Sequence, residues 1–542
     1  MAGKTFNLLS EPWIRVMMPD CAVREVSLNQ ALTQAHLFSN LAGELPTQDI
    51  AILRLLLAVL HSVFSQVDEN GEAHPLEKKA DAYRRWGALW ERGQFPPEPI
   101  LAYLKRYEDR FDLFHPERPF YQVKEAAGGT EFTSAKLNGA ISESSNKVRL
   151  FSMRTGAQKG VLTDAEAARW LIYLNGYDDT SAKPKQKGLP SPGAGWLGKL
   201  GLIAAQGDNL FETLMLNFVL LDDQERLWGP SKPIWALDQP RTQERCEIVM
   251  PDNQAELLTL QSRRLLLVYD ERGVTGYKLL GGDFFSKVNA LKEQMTLWTY
   301  VPGKGSQAGF YQPKRHDPSK QIWREFAALV DDTNEREKPG VVIWQERLKK
   351  KGKLEKKRMS RFMVASVQYG DKDFFVADVF SDSISFHLNL LTEAGKEWVR
   401  KIEAEIQTTD DVATAAMYLG MNIEKAAGGS GNVLGGWMKE QFYDRIDVPF
   451  RRFLETIDPA DDYEQRNERL DRWHEEERRI AYKLSQEIVE QEERTNLITG
   501  RTSVKEKKDG TKEKQHYSVP EANERFTARI NYLLRTEKGV AE

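Results

Sequence analysis

Residues 47–65, TQDIAILRLLLAVLHSVFS, place Ile50, Leu53, Leu56 and Leu60 at the three-to-four-residue spacing of a helix with a buried face. Thr47 offers a capping oxygen at its start. TDAEAARWLIYLN (163–175) predicts a second helix, with Thr163 as N-cap and Glu166 three residues on. Residues 209–221 predict a third. FNLLSEPWIRV (6–16) reads as strand, turn at Glu11-Pro12, strand, and AVREVSLNQAL as strand into helix. Between about 245 and 380, RRLLLVYD, MTLWTYV, RFMVASVQY and DFFVADVF are short β-rich runs separated by loops.

From about residue 386 the pattern changes to long helices, roughly 391–406, 410–427, 435–457, 461–494 and 519–537. Gly428-Gly429, Gly431, Gly435-Gly436 and Pro459 punctuate them, and short connections between long amphipathic helices make an antiparallel bundle. KEKKDGTKEK (505–514) reads as an exposed loop. The expected fold class is α+β: a large mixed α/β domain over 1–385, then a four-helix-type bundle over 386–542.

Composition narrows the function. With 41% hydrophobic and 29% charged residues, the 542-residue chain has the balance of a globular protein. Apolar runs such as Ile52 to Leu60, interrupted by Arg54, are too short to cross a bilayer, so no membrane association is expected. Cys21 and Cys246 lie far apart and offer neither a disulfide framework nor a zinc pair; the expectation is a reducing cytoplasm, no metal and no cofactor. A net charge of −4 confines any nucleic-acid site to a local patch.

SPGAGWLGKLG (191–201) spells two nucleotide fingerprints, G-x-G-x-x-G from Gly193 and G-x-x-x-x-G-K ending at Lys199. The first needs a buried strand ahead of it, and KPKQKGLPSP cannot be one. The second needs Ser or Thr after the lysine, where Leu200 stands. The eight histidines show no H-x-x-x-H or H-E-x-x-H spacing, and loops or helix caps account for Asp331-Asp332 and Asp410-Asp411. Nothing here argues for catalysis; a nucleotide-dependent enzyme using Gly193–Lys199 is the rival reading.

Four segments join positive charge to flexible or aromatic residues. They are 146–159 (Asn146, Lys147, Arg149, Leu150, Phe151, Arg154, Lys159); Lys183, Lys185 and Lys187 leading into Gly193, Ala194, Gly195 and Trp196; ERLKKKGKLEKKRMSR (346–361); and bundle residues Arg451, Arg452, Arg478, Arg479, Lys483, Arg525, Arg529 and Arg535. Lysine and arginine neutralise phosphates without reading sequence. A glycine backbone without side-chain bulk can lie in a minor groove about 6 Å wide.

In order along the chain, FNLLSEPWIRV, HPERPFYQV, the glycine loop and the C-terminal bundle resemble the large subunit (CasA family) of type I-E CRISPR Cascade surveillance complexes. The N-L-L-x-x-x-W-I-x-V opening is the most specific part, and the likeness covers essentially the whole chain.

The resemblance implies a non-catalytic subunit at the 5′ end of the crRNA, beside Cas5-type and Cas7-type backbone subunits and a small-subunit dimer. It would recognise the protospacer-adjacent motif (PAM) of double-stranded target DNA, start strand separation and recruit a helicase–nuclease. Carried over residue by residue, the PAM loop falls on Gly193, Ala194, Gly195 and Trp196, with Lys199 behind it. The crRNA-handle and subunit contact falls on Asn146, Lys147, Arg149, Leu150, Phe151 and Arg154. The duplex-entering wedge falls on Gly370, Asp371, Lys372, Asp373 and Phe374. The family wedge carries a glutamine that this turn lacks, leaving Lys372 or Phe374 to do its work. Lys278 and Lys287 are both candidates for the family's minor-groove lysine, and Cys246 stands alone where some relatives bind zinc. Ahead of the wedge, Lys349, Lys350, Lys351, Lys353, Lys356, Lys357 and Arg358 are placed to hold duplex phosphates. Arg451, Arg452, Lys483, Arg525 and Arg529 form a basic bundle face for the displaced strand.

Overall fold

The computed structural model describes residues 4–138, 160–181, 186–244, 250–284, 290, 292–305, 308–330, 337–355, 358–491, 498–506 and 512–535. Two units separate: one of Met1–Ile322, Ala328–Glu355 and Ser360–Ile384, the other of Trp323–Ala327, Lys356–Met359 and Ser385–Glu542.

The first unit is built around the helix Pro46–Phe64, whose apolar residues are buried on every side. Pro46 opens it, so Thr47 lies inside the first turn and does not cap. At 19 residues this helix is long and apolar enough to cross a membrane, which corrects the length expectation drawn from residues 52–60; here it is core, with Arg54 buried inside it. The helix Asp164–Tyr177 starts at the expected capping box, with Glu166 N–H donating to Thr163 Oγ1 and Thr163 N–H to Glu166 Oε2. The apolar stretch read as helix to residue 221 is helical only over Leu210–Asn217.

Three three-stranded sheets and a hairpin of Trp298–Val301 with Phe310–Pro313 complete the unit. Ile14–Met17 lies between Val23–Val26 and Asn40–Leu41. Gly273–Gly281 lies between Thr130–Thr133 and Arg263–Asp270. Met359–Tyr369 lies between Leu202–Gln206 and Val376–His387. Leu265, Leu267, Tyr277, Leu279, Phe362 and Val364, at alternate positions of the longer strands, enter the core.

The second unit carries the helices Lys396–Ala426, Asn432–Thr456, Tyr463–Gln491 and Val519–Leu533. Phe442, Ile446, Phe450, Trp473, Leu484, Phe526 and Ile530 fill its core. The two helices expected over 391–406 and 410–427 are one, and Asp410 sits mid-helix, where it accepts from Arg324 and Tyr443 instead of capping. Glu424 accepts N–H groups of Gly431 and Leu434, taking orphan donors at the start of Asn432–Thr456, whose N-cap Gly431 has no side chain to offer. Of the stretch expected as a loop over 505–514, residues 505–506 and 512–514 are strand, in the pairing of Arg501–Glu506 with Lys512–Tyr517, and 507–511 lie outside the described residues.

Candidate nucleic-acid interface

The glycine loop leaves Ser191 exposed and Gly193 half-buried, then turns inward: Ala194, Gly195, Trp196 and Lys199 are buried. Trp196 Nε1–H donates to Glu293 Oε2 at 3.1 Å and its backbone N–H to Ser262 Oγ at 2.9 Å. The Lys199 ammonium lies 3.9 Å from the centre of the Phe284 ring. Ala194 and Gly195, expected to lie against a groove, thus face inward; Trp196, whose direction the sequence left open, packs inside, and Lys199 sits behind the loop. Gly195 is glycine for close packing: a Cβ there would stand 2.3 Å from the carbonyl oxygen of Gly176. Gly193 is different, with φ +67 and open space around its missing Cβ. Nor does the loop form a phosphate cradle, because Gly195 N–H already donates to Asp178 O and Lys199 N–H to Trp196 O.

Behind the loop lies a set of buried charges. Arg54 makes a two-bond fork to Glu293, at 2.8 and 3.0 Å, with both side chains at most 2% exposed. Glu293 also accepts from Trp196 and from Met295 N–H, so its oxygens are satisfied. Arg263 donates to Asp178 Oδ2 at 2.5 Å and, through Nη2, to the carbonyls of Asp179 and Gly193, each at 2.6 Å. Lys136 pairs with Asp179. Burial pushes the Asp178 carboxyl up from its ordinary value; Arg263 pulls it back, and Asp179 adds to the rise.

The turn expected as wedge joins Met359–Tyr369 to Val376–His387. Lys372 (φ 53) and Asp373 (φ 59) are both left-handed, and Phe374 N–H donates to Asp371 O, the pattern of a tight primed turn. Lys372 is exposed and Phe374 is 43% exposed, so Phe374 is not a core residue. Two contacts fix the turn. Arg315 forks onto both oxygens of Asp373 at 2.9 Å, and Thr180 donates its N–H to Asp373 O at 2.9 Å and its hydroxyl to Lys372 O at 3.3 Å.

The basic stretch is partly committed to internal contacts. Lys349 donates to Glu355 O, Lys350 pairs with Glu346, and the Lys351 ammonium stands 5.5 Å from the Tyr83 ring centre. Lys353 lies against Gly87. Arg358 belongs to the second unit, and Lys356 and Lys357 lie outside the described residues. Lys278 is a strand residue 3.8 Å from Glu131. Lys287, Lys183, Lys185 and the handle residues Asn146, Lys147, Arg149, Leu150, Phe151 and Arg154 also lie outside the described residues.

On the helical unit, Arg451 pairs with Asp447, Arg525 faces Glu521 at 3.8 Å, and Arg529 faces Asp411 at 3.5 Å. Arg452 and Lys483 are exposed. The expected basic face is thus interleaved with carboxylates. Among the described residues, no group of three or more His, Cys, Asp or Glu side chains could hold a metal.

The residues that join these parts, Asp178, Asp179, Thr180, Arg263 and Arg315, escape a motif search. Their one signal is charge where none is expected: Arg263-Arg264 open an apolar strand, and Asp178-Asp179 end an apolar helix.

The family model described as CRISPR-associated protein Cse1 matches residues 7–484. CRISPR-associated protein CasA/Cse1 of Thermus thermophilus is 29% identical over 332 residues; the match spans 60% of this chain and 60% of that protein, under two thirds of its length. Among solved structures, Thermobifida fusca Cse1 is similar with a TM-score of 0.81 and 27% identity, covering 98% of each chain. A chain of a CRISPR RNA-guided surveillance complex shares the fold, with a TM-score of 0.65 and 18% identity over 98% of this chain and 99% of that one.

Proposed function

The chain belongs to the CRISPR-associated protein Cse1 family, and on that premise we propose that it is the non-catalytic, DNA-reading large subunit of a type I-E CRISPR RNA-guided surveillance complex in the cytoplasm. It recognises the PAM of a target duplex from the minor groove and opens the first base pairs, so that crRNA pairing can propagate in a nearly balanced strand exchange. Its partners are the crRNA, Cas5-type and Cas7-type backbone subunits, a small-subunit dimer and a helicase–nuclease recruited after target binding.

One observation carries the reading: a tight left-handed turn holds exposed Lys372 and Phe374 clear of the core. Phe374 is the unstacking side chain, since an apolar wedge between base steps offsets the cost of parting them, and Lys372 meets phosphate. The glycine loop contributes its rim, Lys187, Ser191 and Gly193, rather than its buried half.

The test uses the assembled complex and duplexes with randomised PAM positions. Phe374→Ala is expected to weaken binding of intact duplex about tenfold or more, in line with the few kcal/mol that unstacking one step costs. Binding of a duplex already open beside the PAM should be preserved. Gly193→Asp, which meets open space and only the strain of a left-handed backbone, should reduce binding to both substrates with assembly intact. Equal affinity of wild type for all PAM sequences would refute the reading. Micromolar ATP or NAD binding that Gly193→Asp abolishes would favour a nucleotide enzyme instead.

A further inference from the structure

The glycine loop and the turn 370–374 are far apart in sequence, yet the same three residues bind both. Asp178 O accepts from Gly195 N–H at 2.8 Å, and its carboxylate anchors Arg263, whose other arm holds Gly193 O. Asp179 O also accepts from Arg263, and the Asp179 side chain is pinned by Lys136 and by Ser181 N–H. Thr180 then reaches the turn, donating to the carbonyls of Asp373 and Lys372. One residue before, Tyr177 O accepts from the Tyr369 hydroxyl at 2.6 Å, which ties the strand leading into the turn to the same segment. Asp178 and Asp179 are buried, and Asp178 Oδ2 and both Asp179 carboxylate oxygens are hydrogen-bonded, which holds the span in place.

Two successive left-handed non-glycine residues persist only where their surroundings over-determine them. Here Thr180 and Arg315 do so. Resting on the proposed function above, we infer that residues 178–180, clamped by Arg263, form a brace that couples the two DNA-contacting parts, so that PAM reading and strand opening occur at one fixed spacing. Thr180, Arg263 and Arg315 are positioning residues in this scheme.

The experiment separates reading from opening. Duplexes with a pre-opened bubble beside a preferred or non-preferred PAM need no wedge action, so the affinity ratio between them measures reading alone. Arg315→Gln frees the turn and leaves the glycine loop untouched; Arg315 is only half-buried, which favours folding. Thr180→Val removes the hydroxyl donor and keeps the shape. Coupling predicts that each variant, incorporated into the complex with unchanged thermal midpoint, lowers the bubble PAM ratio by about threefold or more. It further predicts that Arg263→Lys slows opening of intact duplex, read by 2-aminopurine fluorescence beside the PAM, although Arg263 touches no part of the turn. An unchanged bubble ratio for both turn variants, with only opening impaired, would overturn the brace and leave the proposed function standing. A wild-type complex with no PAM ratio would instead overturn the proposed function.

Discussion

The glycine loop and the turn 370–374 are both short, both contain backbone of positive φ, and both are candidate DNA contacts, yet their chemistry is opposite. The loop spends its residues inward: Gly195 has no Cβ because Gly176 O occupies the place, and Trp196 completes the partners of Glu293. The turn commits one side chain, Asp373 to Arg315, and is otherwise held through main-chain carbonyls, leaving Lys372 and Phe374 outside. Glycine density marks close packing in the first case; in the second, strain without glycine marks a shape held from outside.

Four substitutions would break or sharpen this contrast. Glu293→Ala strands Arg54 as a buried unpaired charge and is expected to cost about 3–5 kcal/mol, seen as a large drop in denaturant midpoint. Loss below about 1 kcal/mol would show that the loop is not packed on a buried ion pair. Next, Gly195→Ala forces backbone apart and should cost about 1–3 kcal/mol by overpacking. Gly193→Ala meets only its left-handed backbone, at about 1 kcal/mol. Equal costs would erase the distinction between the loop's two halves. Smallest is Lys372→Gly, expected to stabilise by up to about 1 kcal/mol by relieving left-handed strain. Destabilisation there would show that the turn carries no such strain.

Regular elements were legible wherever local chemistry decides them. Thr163 and Glu166 cap a helix by their own side chains, and the apolar spacing of residues 50–60 needs only a core to face. What sequence pattern missed depends on partners remote in the chain. Asp410 looks like a cap until Arg324 and Tyr443 claim it in mid-helix. Lys- and Glu-rich residues 501–517 have low strand propensity, but pairing from Arg501↔Tyr517 to Glu506↔Lys512 decides otherwise. Trp196 was readable as either outward or inward until Glu293 supplied its acceptor. The brace was least legible, since its bonds join residues such as Thr180 and Lys372, 192 positions apart.

Thr180 grips the turn by its carbonyls, which every amino acid possesses. The tip therefore behaves as an interchangeable bit in a fixed chuck. Position 374, whose backbone is right-handed, is expected to accept glutamine, arginine or tryptophan without re-cutting the holder. Under the proposed function, an engineer seeking a new unwinding strength would keep the brace and swap the tip.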